Sequence, residues 1–173
     1  MDLPAKTCML ARYTAWADAR LFAAVAQLPE GADTADRPTL FGNMLRTLNH
    51  CRVVDRIWMA HLEGRPHGYT ALNTEGTPEF DELRTAQASL DEWFVAYASR
   101  LPHAAYDEVV EFRFVDGGPG AMTRGDILLH VVNHKTYHRG WVADLFFQER
   151  VRPPAMDLPV YLRELGAAAC RSA

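Results

Sequence analysis

The chain lacks most of the marks that would assign it to a common class at sight. Its three cysteines, Cys8, Cys51 and Cys170, are odd in number and show no C-x-x-C spacing. That excludes a disulfide framework and a thiolate zinc site, and leaves them as small thiols in a reducing compartment. Serine is scarce: only Ser89, Ser99 and Ser172 occur, and there is no G-x-S-x-G elbow. No stretch approaches the ~18 apolar residues of a membrane span, and Met1-Asp2-Leu3-Pro4 shows no basic region followed by an uninterrupted apolar run. Basic charge is scarce as well. With 18 Lys and Arg against 22 Asp and Glu, the net charge is -4, which gives no footprint for nucleic acid. The expectation is a soluble cytoplasmic protein that binds neither nucleic acid nor membrane.

What is present suits one packed domain. The 173 residues, 49% of them hydrophobic, are enough for a single sizeable core spanning 1–173 and too few for two. Apolar residues at Leu10, Tyr13, Ala17, Leu21, Ala24 and Leu28 follow a helical period, predicting a helix from about Lys6 to Leu28 that Pro29-Glu30-Gly31 ends. Thr39 is a candidate cap for a second helix running to about Glu63, with Met44, Leu48, Cys51, Asp55, Trp58 and Leu62 on one seam. Residues 64–78, rich in Gly and Pro, read as an ordered loop of the length that often lines sites. A third helix is predicted from Pro78 or Glu79 to Leu101 on the seam Leu83, Leu90, Phe94, Tyr97.

The period then changes. Val110, Phe112 and Phe114 alternate with charged residues before Asp116-Gly117-Gly118-Pro119-Gly120, predicting a small β-hairpin. Thr123 and Asp126 resemble a capping box opening a fourth helix to about Gln148, and Val160-Tyr161-Leu162 marks a short last helix across the others. The expected fold is all-α: a four-helix bundle with a small β-hairpin between the third and fourth helices.

The chemistry is concentrated in the fourth helix, where His130, His134 and His138 recur at four-residue spacing. Positions i and i+4 share a helix face, so either adjacent pair can present two imidazoles to one ion. His130 and His138 are roughly 12 Å apart along the axis, so all three do not serve one ion. Ile127, Val131, Trp141 and Leu145 share the inward seam with His134 and His138, so these two replace core residues, which is costly unless something binds them. His50 borders the seam of the second helix. Two imidazoles from one helix and one from a facing helix make a three-point site for Zn, Ni, Cu or Fe. There is no H-E-x-x-H, since Lys135 follows His134, and no Glu-x-x-His pair, so one ion fits better than two.

These residues carry a family resemblance. Tyr13-Thr14-Ala15-Trp16-Ala17-Asp18, then Leu48-Asn49-His50 with Asp55 and Trp58, then His134-Lys135-Thr136-Tyr137-His138-Arg139-Gly140, resemble the DinB superfamily over nearly the whole chain. The resemblance implies a four-helix bundle holding one divalent metal through His50, His134 and His138. It also implies frequent homodimers and, in some relatives, thiol-dependent transferase or isomerase chemistry using bacillithiol or mycothiol. Trp141 stands where relatives often carry glutamine.

On that reading the protein is a metal-dependent enzyme of thiol S-transferase, isomerase or hydrolase type. It would act on a small electrophile, with a low-molecular-weight thiol as co-substrate and one divalent ion, Zn, Ni, Fe or Mn. The alternative is a non-enzymatic stress-response module with a structural metal, its site closed by Asp55. Asp55 either orients a ligand histidine or pairs with an arginine such as Arg12 or Arg139. His130 is either a donor behind the ligands or a satisfied helix histidine. His61, His67 and His103 read as solvated, and the four tryptophans as packing. No general base is identified.

Overall fold

The computed structural model describes residues 2–171, with side chains as far as Leu165. It contains five α-helices and one antiparallel hairpin: α1 (Leu3–Val25), α2 (Met44–Leu62), α3 (Phe80–Arg100), β1 (Val109–Arg113), β2 (Pro119–Thr123), α4 (Arg124–Phe146) and α5 (Leu158–Arg171). Cys170 and Ser172 lie outside the described side chains.

Local chemistry sets the helix starts. The Asp2 carboxylate accepts from the Ala5 amide at 3.0 Å and Pro4 fits the first turn, so α1 begins earlier than Lys6. Asn43, not Thr39, caps α2: its side chain accepts from Arg46 N at 2.8 Å, immediately after Gly42 turns the chain at φ +82°. Asp81 and Glu82 supply negative charge to the first turn of α3, and Thr123 Oγ1 caps α4 by accepting from Asp126 N at 3.0 Å, as its spacing predicts.

The hairpin pairs Val109 with Thr123 through Arg113 with Pro119. Its position opposite Phe112 demands glycine, because a Cβ on Gly120 would come within 2.5 Å of the Phe112 ring. Val110 and Phe112 are buried and cover the end of the core near Trp58 and Tyr106.

α1 and α2 each pack against both α3 and α4. α5 adds a fifth helix through Tyr161, whose ring lies 5.7 Å from that of Tyr13 and 5.4 Å from that of Trp16. The apolar core falls into two halves. One gathers Ala11, Val54, Trp58, Phe94, Ile127 and Val131; the other gathers Leu21, Phe22, Leu48, Leu83, Val142 and Phe146. On α1, α3 and α4 the residues between the two halves include buried polar ones: Asp18, then Gln87 and Asp91, then Lys135 and Arg139. His50 and Asp55 mark the corresponding stretch of α2.

Candidate metal centre

His50 from α2 and His134 and His138 from α4 converge. One ligand nitrogen from each lies within 4.8 Å of the others, and the His50 ring centroid is 5.0 Å from that of His134 and 4.6 Å from that of His138. His50 Nδ1 stands 2.6 Å from the carbonyl oxygen of Leu72. A carbonyl only accepts, so Nδ1 carries the proton and Nε2 keeps its lone pair. That Nε2 lies 3.1 Å from His134 Nε2. Nδ1 of His134 and Nδ1 of His138 are buried and without a partner among the described residues. Unpaired buried nitrogens are costly, and imidazole nitrogens gathered within 4.8 Å of one another suit a divalent ion that accepts neutral nitrogen donors.

The electrostatics favour the ligand form of all three rings. Burial, reinforced by His138 and His50, pushes His134 down to about 3. Burial and the nearby His50 push His138 down to about 4. Burial also lowers His50, although its bond to Leu72 works the other way. All three are therefore neutral at physiological pH, with lone pairs ready to ligate.

The loop between α2 and α3 orients His50. Asn49, fully buried, donates from Nδ2 to Asn73 Oδ1 at 2.5 Å and to Thr74 Oγ1 at 2.7 Å, and Asn73 donates to the Arg46 carbonyl at 3.0 Å. These bonds hold the Leu72 carbonyl against the imidazole. On the open side Phe41 stacks on His50 at 4.4 Å, while Tyr137 and Trp141 stand edge-on to His138 at 5.1 and 4.7 Å.

Behind the histidines lies a buried charge layer that the helical periodicity does not announce. Lys135 is 2% exposed, and its ammonium meets a carboxylate from each of the other three long helices: Asp18 of α1, Asp55 of α2 at 2.8 Å and Asp91 of α3 at 2.5 Å. Arg139 adds a second bond to Asp18 at 2.9 Å, and Gln87 donates to Asp55 at 2.8 Å and Asp91 at 3.0 Å. Asp55 thus orients no ligand histidine and pairs with neither Arg12 nor Arg139; its partners are Lys135 and Gln87.

Three carboxylates face two cations, and the mismatch appears in their acidities. Burial raises Asp91 to about 7 against the pull of Lys135, and burial raises Asp55 likewise. Burial acts on Asp18 in the same sense, but Lys135 and Arg139 outweigh it and leave that carboxyl below its ordinary value. One available signal points to Lys135: it is one of two lysines in an otherwise arginine-rich chain.

The remaining histidines separate. His130 sits outside the trio with its ring 4.8 Å from Trp58 and 5.8 Å from His134, a packed helix histidine. His61, expected in solvent, is 8% exposed and packs between Trp58 and Phe112. His67 is half-buried and His103 exposed. Of the tryptophans, Trp58 is core and the other three are half-buried.

Residues 1–167 match the family model described as DinB family. The chain belongs to the DinB family. It is also similar to "Protein DinB" of Bacillus subtilis (strain 168), 22% identical over 159 residues that cover 88% of this chain and 91% of that relative. The three converging histidines lie within the matched region. Among the described residues no helix is long and apolar enough to cross a membrane.

Proposed function

We propose that this DinB-family chain is a single domain over residues 1–173, built on a four-helix bundle of α1–α4. It binds one divalent metal ion through His50, His134 and His138, and works as a thiol S-transferase, isomerase or hydrolase on a small electrophile, with a low-molecular-weight thiol as co-substrate in the transferase case. The observation that carries the reading is the approach of three neutral imidazole nitrogens to within 4.8 Å of one another. An ion held by three imidazoles keeps open positions, where it supplies Lewis acidity and lowers the pKa of a bound water or thiol. The chain's own part is to fix the donors: Leu72 and the Asn49–Asn73 bonds orient His50, and the Lys135 and Arg139 pairs set the rotation of α4 that aims His134 and His138.

A structural-metal module would need a fourth protein ligand. Asp55 is taken up by Lys135 and Gln87 and does not belong to the cluster, which favours the open, enzymatic arrangement. The net charge of -4 agrees with a small-molecule substrate rather than a nucleic acid. A homodimer in the cytoplasm is the expected working form.

The test is a panel of low-molecular-weight thiols against epoxide and activated-ester electrophiles, and of the same electrophiles with water alone. Protein reconstituted with one equivalent of zinc or nickel is compared with the triple variant His50→Ala, His134→Ala, His138→Ala. The expected result is turnover of at least one combination, lost in the triple variant while far-UV circular dichroism is unchanged. Equal turnover by the triple variant contradicts the reading.

A further inference from the structure

A groove of about 520 Å³ lies beside the metal centre, joined to it through Trp141. Its lining includes Leu40, Gly140, Trp141 and Asp144, together with the polar side chains of Thr39, Thr47 and Gln148. Trp141 joins the groove to the centre, because the same ring that lines it stands 4.7 Å from the ring of His138. Phe41 bridges the two spaces, stacked on His50 at 4.4 Å and 6.0 Å from Trp141.

Three features of this groove are unexplained by packing. Gly140 sits in the interior of α4, where glycine is less stable than alanine, yet a Cβ there would meet no atom within 4 Å outside the helix's own backbone. No packing contact requires glycine; its absent side chain leaves bare backbone in the groove lining. Leu40 is 75% exposed at the rim, an apolar side chain held in water next to the centre. Trp141 is half-buried and contributes to the groove lining.

We propose that this groove seats an uncharged aryl or branched alkyl group of the substrate, while the same substrate's reacting atom lies at the three imidazoles. The inference rests on the three-imidazole reading of the centre and adds the substrate class to it. The lining offers Leu40, Trp141, Leu145 and the bare backbone at Gly140 to an apolar group, Thr39, Thr47 and Gln148 as uncharged polar neighbours, and no lysine or arginine of its own to an anionic one. The Asp144 carboxylate, the one charged side chain in the lining, repels a carboxylate, phosphate or sulfonate. Trp141 and Gly140 are then specificity residues that select what reaches the centre and take no part in the chemistry.

The experiment titrates ¹⁵N-labelled full-length protein, as purified and after addition of zinc, first with 1-naphthol and then with 1-naphthalenesulfonate. Zinc content and sedimentation are measured in parallel, and the series is repeated on Gly140→Ala and Gly140→Leu. Naphthol is expected to shift the amides of Leu40, Gly140 and Trp141 and the Trp141 indole N–H, with the sulfonate binding at least about ten-fold more weakly. Gly140→Ala should weaken naphthol several-fold and Gly140→Leu about ten-fold or more, each retaining the wild-type zinc content. Naphthol shifts confined to other residues, or unchanged binding in Gly140→Leu, would overturn the proposal. So would a wild-type dimer that Gly140→Leu converts to monomer, since a second copy would then occupy the groove. If zinc fails to bind but naphthol binding still depends on position 140, the metal reading fails and the groove stands.

Discussion

The ammonium of Lys135, one residue along α4 from His134, stands 2.8 Å from the carboxylate of Asp55. The same ammonium meets Asp18 and Asp91, so one side chain ties α4 to the other three long helices at the level of the candidate ligands. A buried cation of this kind is weak evidence for net stability, because desolvation offsets much of its attraction. Its value is geometric: only one rotation of α4 satisfies it.

Removing that cation leaves Asp18 with Arg139, and Asp55 and Asp91 with Gln87 alone. Lys135→Met is expected to destabilise the protein by roughly 3–5 kcal/mol, the usual cost of stranding buried charge partners, measured by urea unfolding at pH 7. Lys135→Arg keeps the charge and should lose less. A loss below about 1 kcal/mol in Lys135→Met would mean that the ammonium is not what compensates the buried carboxylates.

Asp91 gives the layer a pH signature. Its carboxyl is raised to about 7 in the native protein, whereas the unfolded chain titrates near 4. Between these values the native state holds a proton that the unfolded state has released, so this group's contribution to stability declines as pH rises toward 7. Asp91→Asn removes the titration. The stability of Asp91→Asn relative to wild type is therefore expected to improve from pH 5 to pH 7 by about 1 kcal/mol per unit. Parallel curves for the two proteins would contradict it.

The imidazoles shift in the other direction. With His134 at about 3 and His138 at about 4, the metal-free native state binds fewer protons than the unfolded chain below the ordinary histidine value near 6.5. Stability from these rings is whole above that value and is lost as pH falls toward 4. The same shifts mean that an ion competes with few protons above pH 5. Zinc affinity, measured by competition with a chelator of known pH response, is expected to change less than about ten-fold between pH 7.5 and 5.5. A loss of two decades or more would place the free imidazoles near their ordinary value.

The loop that faces His50 carries its own prediction. Asn49→Ala removes the bonds to Asn73 and Thr74 and frees the Leu72 carbonyl, so zinc affinity should fall roughly 10- to 100-fold, the usual effect of losing an outer support of a ligand. Isothermal titration at pH 7 measures it, and an unchanged affinity would show that Leu72 is held by other means.

Much of this was legible in the sequence where periodicity and turn chemistry speak. The seams of α1 to α4, the Thr123 cap and the hairpin around Gly117 to Gly120 follow from apolar spacing and from residues that only turns favour, and the His134/His138 pair follows from four-residue spacing on an apolar face. The starts of α1 and α2 moved because Asp2 and Asn43 cap them, and competing caps a few residues apart look alike without coordinates. The charge layer was hidden for a different reason. Asp18, Gln87, Asp91, Lys135 and Arg139 each lie beside an apolar seam, where a polar residue ordinarily reaches water, and only three-dimensional pairing reveals that these turn inward. His61 was misplaced in the same way: near a helix end it looks solvated, and the hairpin that buries it under Phe112 arrives from fifty residues downstream.

The central claim is that imidazoles from two helices hold one ion, and metal content tests it most directly. Tag-free protein exposed to zinc and passed through a desalting column should retain one zinc per chain by elemental analysis, and His50→Ala, with unchanged helicity, should retain far less. Wild-type protein that keeps no stoichiometric zinc, or a His50→Ala variant that keeps as much as wild type, would contradict it.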